Sequence, residues 1–420
     1  MKQVSSLIYY LMTAQHIMPK TLLGGTVFAI VFLCSFDVAG QELPRKQVLF
    51  EAGQDGYTTC RIPSLVATKQ GTLLAFCAAR KGDGHDWAPI DVVMRRSTDS
   101  GKTWSSMQII AHKEGLPCDN GTPIVDYKTG EVHLLYQIDY ARCYWTCSAN
   151  DGLTWSEPVE ITSVIETYKE IYPWNVLAPG PGHGIQLTNG RLVVPFWLST
   201  GGKSHRPSIV VSVYSDDHGR TWHPGEVVVP DNEYTVIPNE TCNLQLADGR
   251  VMFNSRNESP QHKRLITYSA DGAAGWSEPV FSDVFFEPIC QGTLCRFSIM
   301  PEQSKNRILF CNPDSRANPW EGGASTPRSG KVRHRSNLTM RMSYDEGDSW
   351  SVSKVIDPDI AGYSDVAVTP DGLIHCLYES GGKGGNMYMT NQLVFVSFDL
   401  PWLTDGKDRL EEGDKPLNLR

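Results

Sequence analysis

One short pattern recurs along this chain of 420 residues and limits what it can fold into. It reads S-T-D-S-G-K-T-W from Ser97, S-A-N-D-G-L-T-W from Ser148, S-D-D-H-G-R-T-W from Ser215 and S-Y-D-E-G-D-S-W from Ser343. A degraded copy, S-A-D-G-A-A-G-W, begins at Ser269. The pattern has the chemistry of a hairpin turn. Asp or Asn accepts backbone N–H bonds, Gly takes a positive φ, and Trp packs beneath the hairpin. The copies start between 51 and 74 residues apart, the spacing of a repeated four-stranded unit rather than of a helical one.

The flanking segments are short, β-branched and aromatic: Val92 to Met94, Val132 to Tyr136, Leu192 to Phe196, Ile209 to Tyr214 and Val394 to Phe398. Thirty-seven glycines and 26 prolines punctuate them, and no stretch keeps an apolar period of 3.6. The expectation is an all-β chain, a six-bladed β-propeller of four-stranded antiparallel blades. The 380 residues after residue 40 would give six blades of about 63 each, with residues 41–400 as the one catalytic domain. Asn312 to Arg335 reads as a long loop, and residues 401–420 as a polar tail, solvated from Asp405 onward.

Residues 1–40 differ from the rest. Lys20 precedes an apolar run from Thr21 to Phe36, and Val38-Ala39-Gly40 supplies small residues before Gln41. At 16 residues the run is short for a bilayer span. A secretory leader is expected, with Met12 or Met18 as alternative starts and an uncleaved anchor as the competing reading. Either places the protein outside the cytoplasm: secreted, periplasmic or on the cell surface. The formal charge is −9, and residues 1–40 carry Lys2, Lys20 and Asp37, so the remainder is near −10. That argues against nucleic acid and anionic membranes as partners. It also makes any cluster of arginines a local design. Of 11 cysteines, Cys34 falls in the leader, and the other ten show no metal-ligand spacing. Free buried thiols are at least as well supported as disulfides, and no metal or cofactor is assigned. Glycosylation sequons at Asn120, Asn239, Asn257 and Asn337 are read as coincidental.

Several polar residues could carry chemistry. Arg61 stands in R-I-P, where Pro63 is expected to keep Ile62 extended. Arg256 stands in F-N-S-R-N-E, Arg335 in R-H-R-S-N-L-T, Glu240 in N-E-T and Tyr363 in G-Y-S-D. Taken singly, each has an ordinary structural role: a surface ion pair, a capped turn, a core aromatic.

Taken together, from about Tyr57 to Tyr378, they resemble the sialidases, glycosidases that remove terminal sialic acids. R-I-P-S-L matches the family's F/Y-R-I-P signature except that Cys60 replaces the aromatic, and the repeated turns match its Asp boxes. The resemblance implies roles. Asp86, rather than Asp83 or Asp91, is the acid/base. Tyr363 is the nucleophile and Glu240 its activator. Arg61, Arg256 and Arg335 hold the substrate carboxylate, with Arg316 and Arg333 as rivals for the third place. Arg80 contacts the 4-hydroxyl, Asn120 assists, and Glu379 orients Arg61.

The chemistry explains these residue types. A sialic acid carries a carboxylate on its anomeric carbon, which three arginines can grip in a fixed pose. That charge repels an Asp or Glu nucleophile in a site of low dielectric. A neutral tyrosine escapes the repulsion but, with a pKa near 10, needs a base to take its proton. A tyrosine nucleophile is a known departure from the usual carboxylate pair of glycosidases. The resemblance implies retention without a cofactor, sialylated glycoconjugates as substrates and a monomer. A trans-sialidase or intramolecular trans-sialidase would share these residues and differ in aglycone aromatics, for which Trp174 and Trp320 are candidates. A non-catalytic propeller that binds sialylated glycans would not need Tyr363, Glu240 or Asp86.

Overall fold

The five repeated turns occupy equivalent places. In the computed structural model, which describes residues 43–412 and 414, each joins the third and fourth strands of an antiparallel array. The first sheet runs Thr59–Ala67, Leu73–Arg80, Ile90–Ser97 and Gln108–Ala111. The second runs Cys118–Val125, Val132–Ile138, Arg142–Ser148 and Val159–Glu160. The third consists of Val176–Pro179, Leu192–Ser199, Ser208–Ser215 and His223–Val229, with Ile185–Gln186 as a short extra strand. The fourth is Thr241–Gln245, Val251–Ser255, Lys263–Ser269 and Val280–Phe286. First strands are buried along their whole length in the first two sheets, whereas the fourth strand is exposed at several positions, so first strands lie innermost.

The chain is therefore all-β, a propeller-like arrangement of small antiparallel sheets. The expected six separate sheets are not found. Among the described residues four such sheets are present, and the remaining large sheet has seven strands. The cause is one strand of 17 residues, Val352–Val368. Its first part, Val352 to Ile360, pairs with Ser336–Ser343, and its second, Ala361 to Val368, pairs with Ile374–Ser380. No turn interrupts the passage. At the far edge of the same sheet Arg45–Glu51 pairs with Gln392–Phe398, joining the two ends of the described chain.

The strand segments read from the sequence all lie within strands. Two other expectations are corrected. The loop from Asn312 to Arg335 contains a hairpin, Glu321–Ala324 with Lys331–Arg333. Nor is the tail solvated throughout: Asp408 is 5% exposed and accepts from Arg307 Nε at 2.6 Å and Lys305 Nζ at 3.0 Å. A buried guanidinium, Arg307, needed a carboxylate and found it there. The leader expected over residues 1–40 lies outside the described residues. The ten cysteines that are described are all unpaired, eight of them buried.

Each repeated turn also clamps neighbouring sheets together. Within the first copy, Ser97 Oγ accepts from Gly101 N at 2.9 Å, and Asp99 accepts from Lys102 N, Thr103 N and Thr103 Oγ1. The fourth residue of the four full copies is left-handed: Ser100 (φ 54°), Asp151 (63°), His218 (60°) and Glu346 (59°). That conformation sends its side chain outward to the preceding sheet or its turns. Ser100 donates to Asp371, Asp151 accepts from Arg96 at 2.6 Å, His218 lies 2.5 Å from Asp126, and Glu346 accepts from Ala247 N at 2.7 Å. The glycine that follows permits the approach. A Cβ on Gly152, at φ 80°, would stand 2.7 Å from Leu74 of the first sheet.

These clamps predict a contrast. Asp151→Asn keeps a side chain that tolerates the left-handed backbone but loses the charge facing Arg96. It should lower stability by about 1–2 kcal/mol, in the range of charge-assisted hydrogen bonds. Asp283→Asn, which removes an exposed partner of Lys263, should stay within about 0.5 kcal/mol. Denaturant midpoints of the two variants, measured side by side, check this.

Candidate active site

Strand direction brings the sequence candidates to one edge of the sheets. Arg61, Asn120 and Glu240 stand at or near the starts of first strands, and Arg335 directly precedes a third strand. Arg80, Arg256 and Glu379 stand at or beside the ends of second strands. First and third strands run together and second strands run against them, so all these positions share an edge. The repeated turns follow third strands and occupy the opposite edge. At the shared edge a cavity of about 300 Å³ is lined by Arg61, Arg80, Asp86, Asn120, Glu240, Arg256, Arg335 and Tyr363. A larger cleft of about 730 Å³, beside Met300, Tyr344 and Lys407, contains none of them.

Arg61 is placed by a bulge. Pairing between the first two strands slips between Arg61 and Ser64, and Ile62 takes φ 54°, not the extended geometry expected before Pro63. A β-branched residue in that region costs about 1–3 kcal/mol and must be held there. Glu379 holds it. Its carboxylate accepts from Arg61 Nε at 3.0 Å, Arg61 Nη2 at 3.2 Å and Ile62 N at 3.1 Å. It also accepts from Tyr363 N at 3.2 Å, and Gly362 has no room for a Cβ against it. Asn120 sits on a comparable bulge at φ 55°, with its Nδ2 donating to Pro179 O.

Tyr363, Glu240 and Arg256 form a closed group. The phenol donates to Glu240 Oε1, Arg256 Nη1 bonds Glu240 Oε2, and the same Nη1 lies 2.8 Å from the phenol oxygen. Burial pushes the Tyr363 hydroxyl well above its ordinary value, and Glu240 pushes it further, against the pull of Arg256 and Arg335.

Arg335 differs from the other arginines. It is 3% exposed and donates to Ile289 O at 2.7 Å, but its Nε and Nη1 have no partner and no carboxylate pairs with it among the described residues. Its guanidinium lies over the rings of Tyr363 and Tyr388, at 5.1 and 4.9 Å. A buried cation left so is completed by an anion. The rivals are elsewhere. Arg316 pairs with Asp314 on the surface, and Arg333 with Glu321 of the hairpin.

Asp86 is the one aspartate of its segment that reaches the cavity. Asp83 is exposed and caps His85 N, and Asp91 is engaged by Tyr57, Lys81 and His112. Asp86 pairs with Arg80 at 2.7 Å and faces His205 at 3.8 Å. Burial opposes its ionisation, but Arg80 above all, with Arg61 behind it, holds its carboxyl below the usual range. Arg80 also reaches the buried Asp119 at 3.4 Å.

The cavity has a second wall that the sequence did not mark. Tyr140, Trp197, His205, Arg206, Asn239 and Tyr388 line it as well. None belongs to a repeated pattern, and only folding brings these isolated residues to the edge. The two aromatics named as aglycone candidates do not line it. Trp174 is core, donating to Ile165 O, and Trp320 stands exposed on the hairpin against His334.

Known proteins share this fold. Residues 71–376 match the BNR repeat-like domain family. The sialidase of Micromonospora viridifaciens is 29% identical over 396 residues, which is 87% of this chain but 55% of that protein. Sialidase-3 of Mus musculus is 27% identical, covering 80% of this chain and 90% of the mouse protein. Among solved structures, the Hadza microbial sialidase Hz136 superposes with TM-score 0.68 at 24% identity, over 85% of this chain and 69% of the other. A leech intramolecular trans-sialidase also superposes with TM-score 0.68, at 17% identity, over 86% and 71%. These structural likenesses establish the fold.

The geometry makes Glu379 the keystone of the site. Glu379→Gln keeps the shape but leaves a buried guanidinium without its counter-charge, at a cost of about 3 kcal/mol or more. An unfolding midpoint equal to that of the parent protein would refute the role given to this carboxylate.

Proposed function

This chain belongs to the sialidase family, and from that premise we propose that it is a retaining exo-α-sialidase. It would hydrolyse terminal sialic acids of glycoproteins, glycolipids and oligosaccharides. The observation that carries the reading is the contact of Tyr363 with Glu240 and Arg256, in a cavity whose further arginine, Arg335, has no carboxylate of its own among the described residues.

In this reading the substrate carboxylate takes the place facing Arg61, Arg256 and Arg335, which fixes the anomeric carbon above Tyr363. Tyr363 attacks as its proton passes to Glu240, so no free phenolate is needed. Asp86 protonates the departing glycosidic oxygen and later takes a proton from the attacking water. For the first step Asp86 must carry a proton, which the Arg80 contact resists. A bound anionic sugar counters this: its negative charge raises the proton affinity of Asp86. Engagement of Arg80 by the 4-hydroxyl, with Asn120 assisting, loosens the ion pair. The seven-stranded sheet is read as two blades sharing Val352–Val368, which makes the scaffold a six-bladed propeller.

Transfer to an acceptor sugar, between molecules or within one, would use the same groups, and a purely binding propeller would use only the arginines. The test separates all three. Tyr363→Phe and Glu240→Gln should each lower kcat/KM on a fluorogenic aryl sialoside by about 10²–10⁴, the usual range for removing a catalytic proton-transfer group. Circular dichroism should stay unchanged. NMR of the first product formed from 3′-sialyllactose should show the α-anomer of free sialic acid. Near-parental turnover in either variant defeats the proposed nucleophile pair, and a β-anomer as first product defeats retention. An anhydro or transferred product would assign the chain to the transfer reading.

A further inference from the structure

Asp86 lies on the connection between Leu73–Arg80 and Ile90–Ser97, a segment with no strand or helix of its own. Something must hold that connection over the cavity. Within it, Arg80 Nη1 reaches Gly84 O and Asp86 itself. From across the cavity come aromatic rings of the second and third sheets and their turns. The His205 ring stacks on Trp87, the residue after Asp86, at 4.7 Å and 18°. Tyr140 packs on the same Trp87 at 4.9 Å. His205 is itself backed by Trp197, edge-on at 5.2 Å, and by Tyr140 at 5.4 Å. Its Nδ1 faces Asp86 Oδ2 at 3.8 Å, while Nε2 is buried without a partner.

We infer that His205 is a positioning residue for Asp86: the stack of His205 on Trp87 pins the Asp86-bearing connection to the third sheet, and the imidazole edge orients the carboxyl towards the leaving group. The inference rests on the reading of Asp86 as the acid/base. Two features of the site support it. Aromatic stacking of this geometry contributes beyond area burial, so the pin has energy as well as shape. Burial holds the His205 ring below its ordinary pKa, so a neutral imidazole can turn an N–H on Nδ1 towards the carboxylate without adding a full charge beside it. His205 does not touch the anomeric centre, which belongs to Tyr363, Glu240 and the arginines.

A residue that positions the acid affects the enzyme selectively. Protonation of the leaving oxygen matters when the leaving group is a sugar alcohol and little when it is an activated phenol. His205→Ala should therefore lower kcat/KM on 3′-sialyllactose on the order of 10–100-fold, part of the range for a full acid/base deletion. On 4-nitrophenyl sialoside it should lower kcat/KM less than about 5-fold by the same scale. His205→Phe restores the stack without the nitrogens and should recover only the part of the loss that the stack carries. Trp87→Leu, which breaks the stack from the other side, should reproduce the selectivity of His205→Ala. Equal losses on both substrates in His205→Ala and Trp87→Leu, or no loss on either, would overturn the inference. Asp86→Ala is the control for the underlying reading. If it shows the leaving-group selectivity and the His205 and Trp87 variants do not, the positioning role alone falls. If Asp86→Ala lacks the selectivity too, the acid/base reading falls with it.

Discussion

The carboxylate of Glu379 is the interaction on which the rest of the site depends. It is buried, and its oxygens accept from both Arg61 nitrogens, from Ile62 N and from Tyr363 N. Burial alone would drive such a group to its neutral form, but Arg61, and behind it Arg335, keep it below its ordinary pKa. A buried charge is tolerable only where its hydrogen bonds are complete, and four N–H groups meet that condition here. One consequence is architectural: the first sheet is tied to the strand Ile374–Ser380 of the seven-stranded sheet. The other is chemical. The same carboxylate sets the backbone on both sides of the cavity, the left-handed turn that delivers Arg61 and the glycine step that delivers Tyr363.

Around that fixed point the groups to which the proposed mechanism assigns proton transfer lie in unlike surroundings. A fully buried phenol beside a glutamate is a poor acid, so Tyr363 is held neutral until its proton has somewhere to go. Arg256 touches both partners and favours the negative charge wherever it sits, which in the proposed mechanism would lower the barrier to moving the proton between them. Asp86 presents the opposite arrangement. It is exposed enough to meet a leaving group, 35% at the side chain, and paired closely enough with Arg80 to be ionised at rest. The two ends of the cavity thus start from opposite protonation states, and an anionic ligand acts on both.

Much of this was legible in the sequence, for reasons that can be named. The repeated turn is local chemistry. Ser, Asp, Gly and Trp at fixed offsets make their bonds within eight residues, so the copies report sheet positions directly. The edge-sharing arginines, Glu240 and Tyr363 were legible as an ordered set resembling a family, and the fold brings that set together. What was not legible is non-local. Ile62 was expected to be extended because Pro63 follows, and the preference is real. A carboxylate 317 residues away, accepting its N–H, overrides it. The fusion of two expected sheets turns on the absence of a break in Val352–Val368, where Asp357-Pro358-Asp359 does not interrupt the strand. Trp174, a candidate aglycone aromatic whose ordinary role is blade packing, proves to be core, because tryptophan composition says nothing about which side of a strand faces water. His205 and Trp87 carry no motif at all. Their relation exists only when the second and third sheets converge on the first.

The two edges of the sheets divide the work of folding from the work of binding. At the edge of the repeated turns, left-handed residues are stabilised by ion pairs and hydrogen bonds to the neighbouring sheet, and the glycines are packed against it. At the cavity edge the strain at Ile62 and Asn120 is kept, and charge is distributed unevenly. Among the described residues Arg80 is shared by two carboxylates, Asp86 and Asp119; Arg61 and Arg256 have one each; Arg335 has none. A cavity negative towards Arg80 and positive towards Arg335 has a polarity, although the chain as a whole is acidic. A ligand with one carboxylate is oriented by that polarity before any specific contact forms. On the proposed reading its anionic end would go to Arg335, above Tyr363, and its neutral oxygen-bearing end would turn towards Asp86.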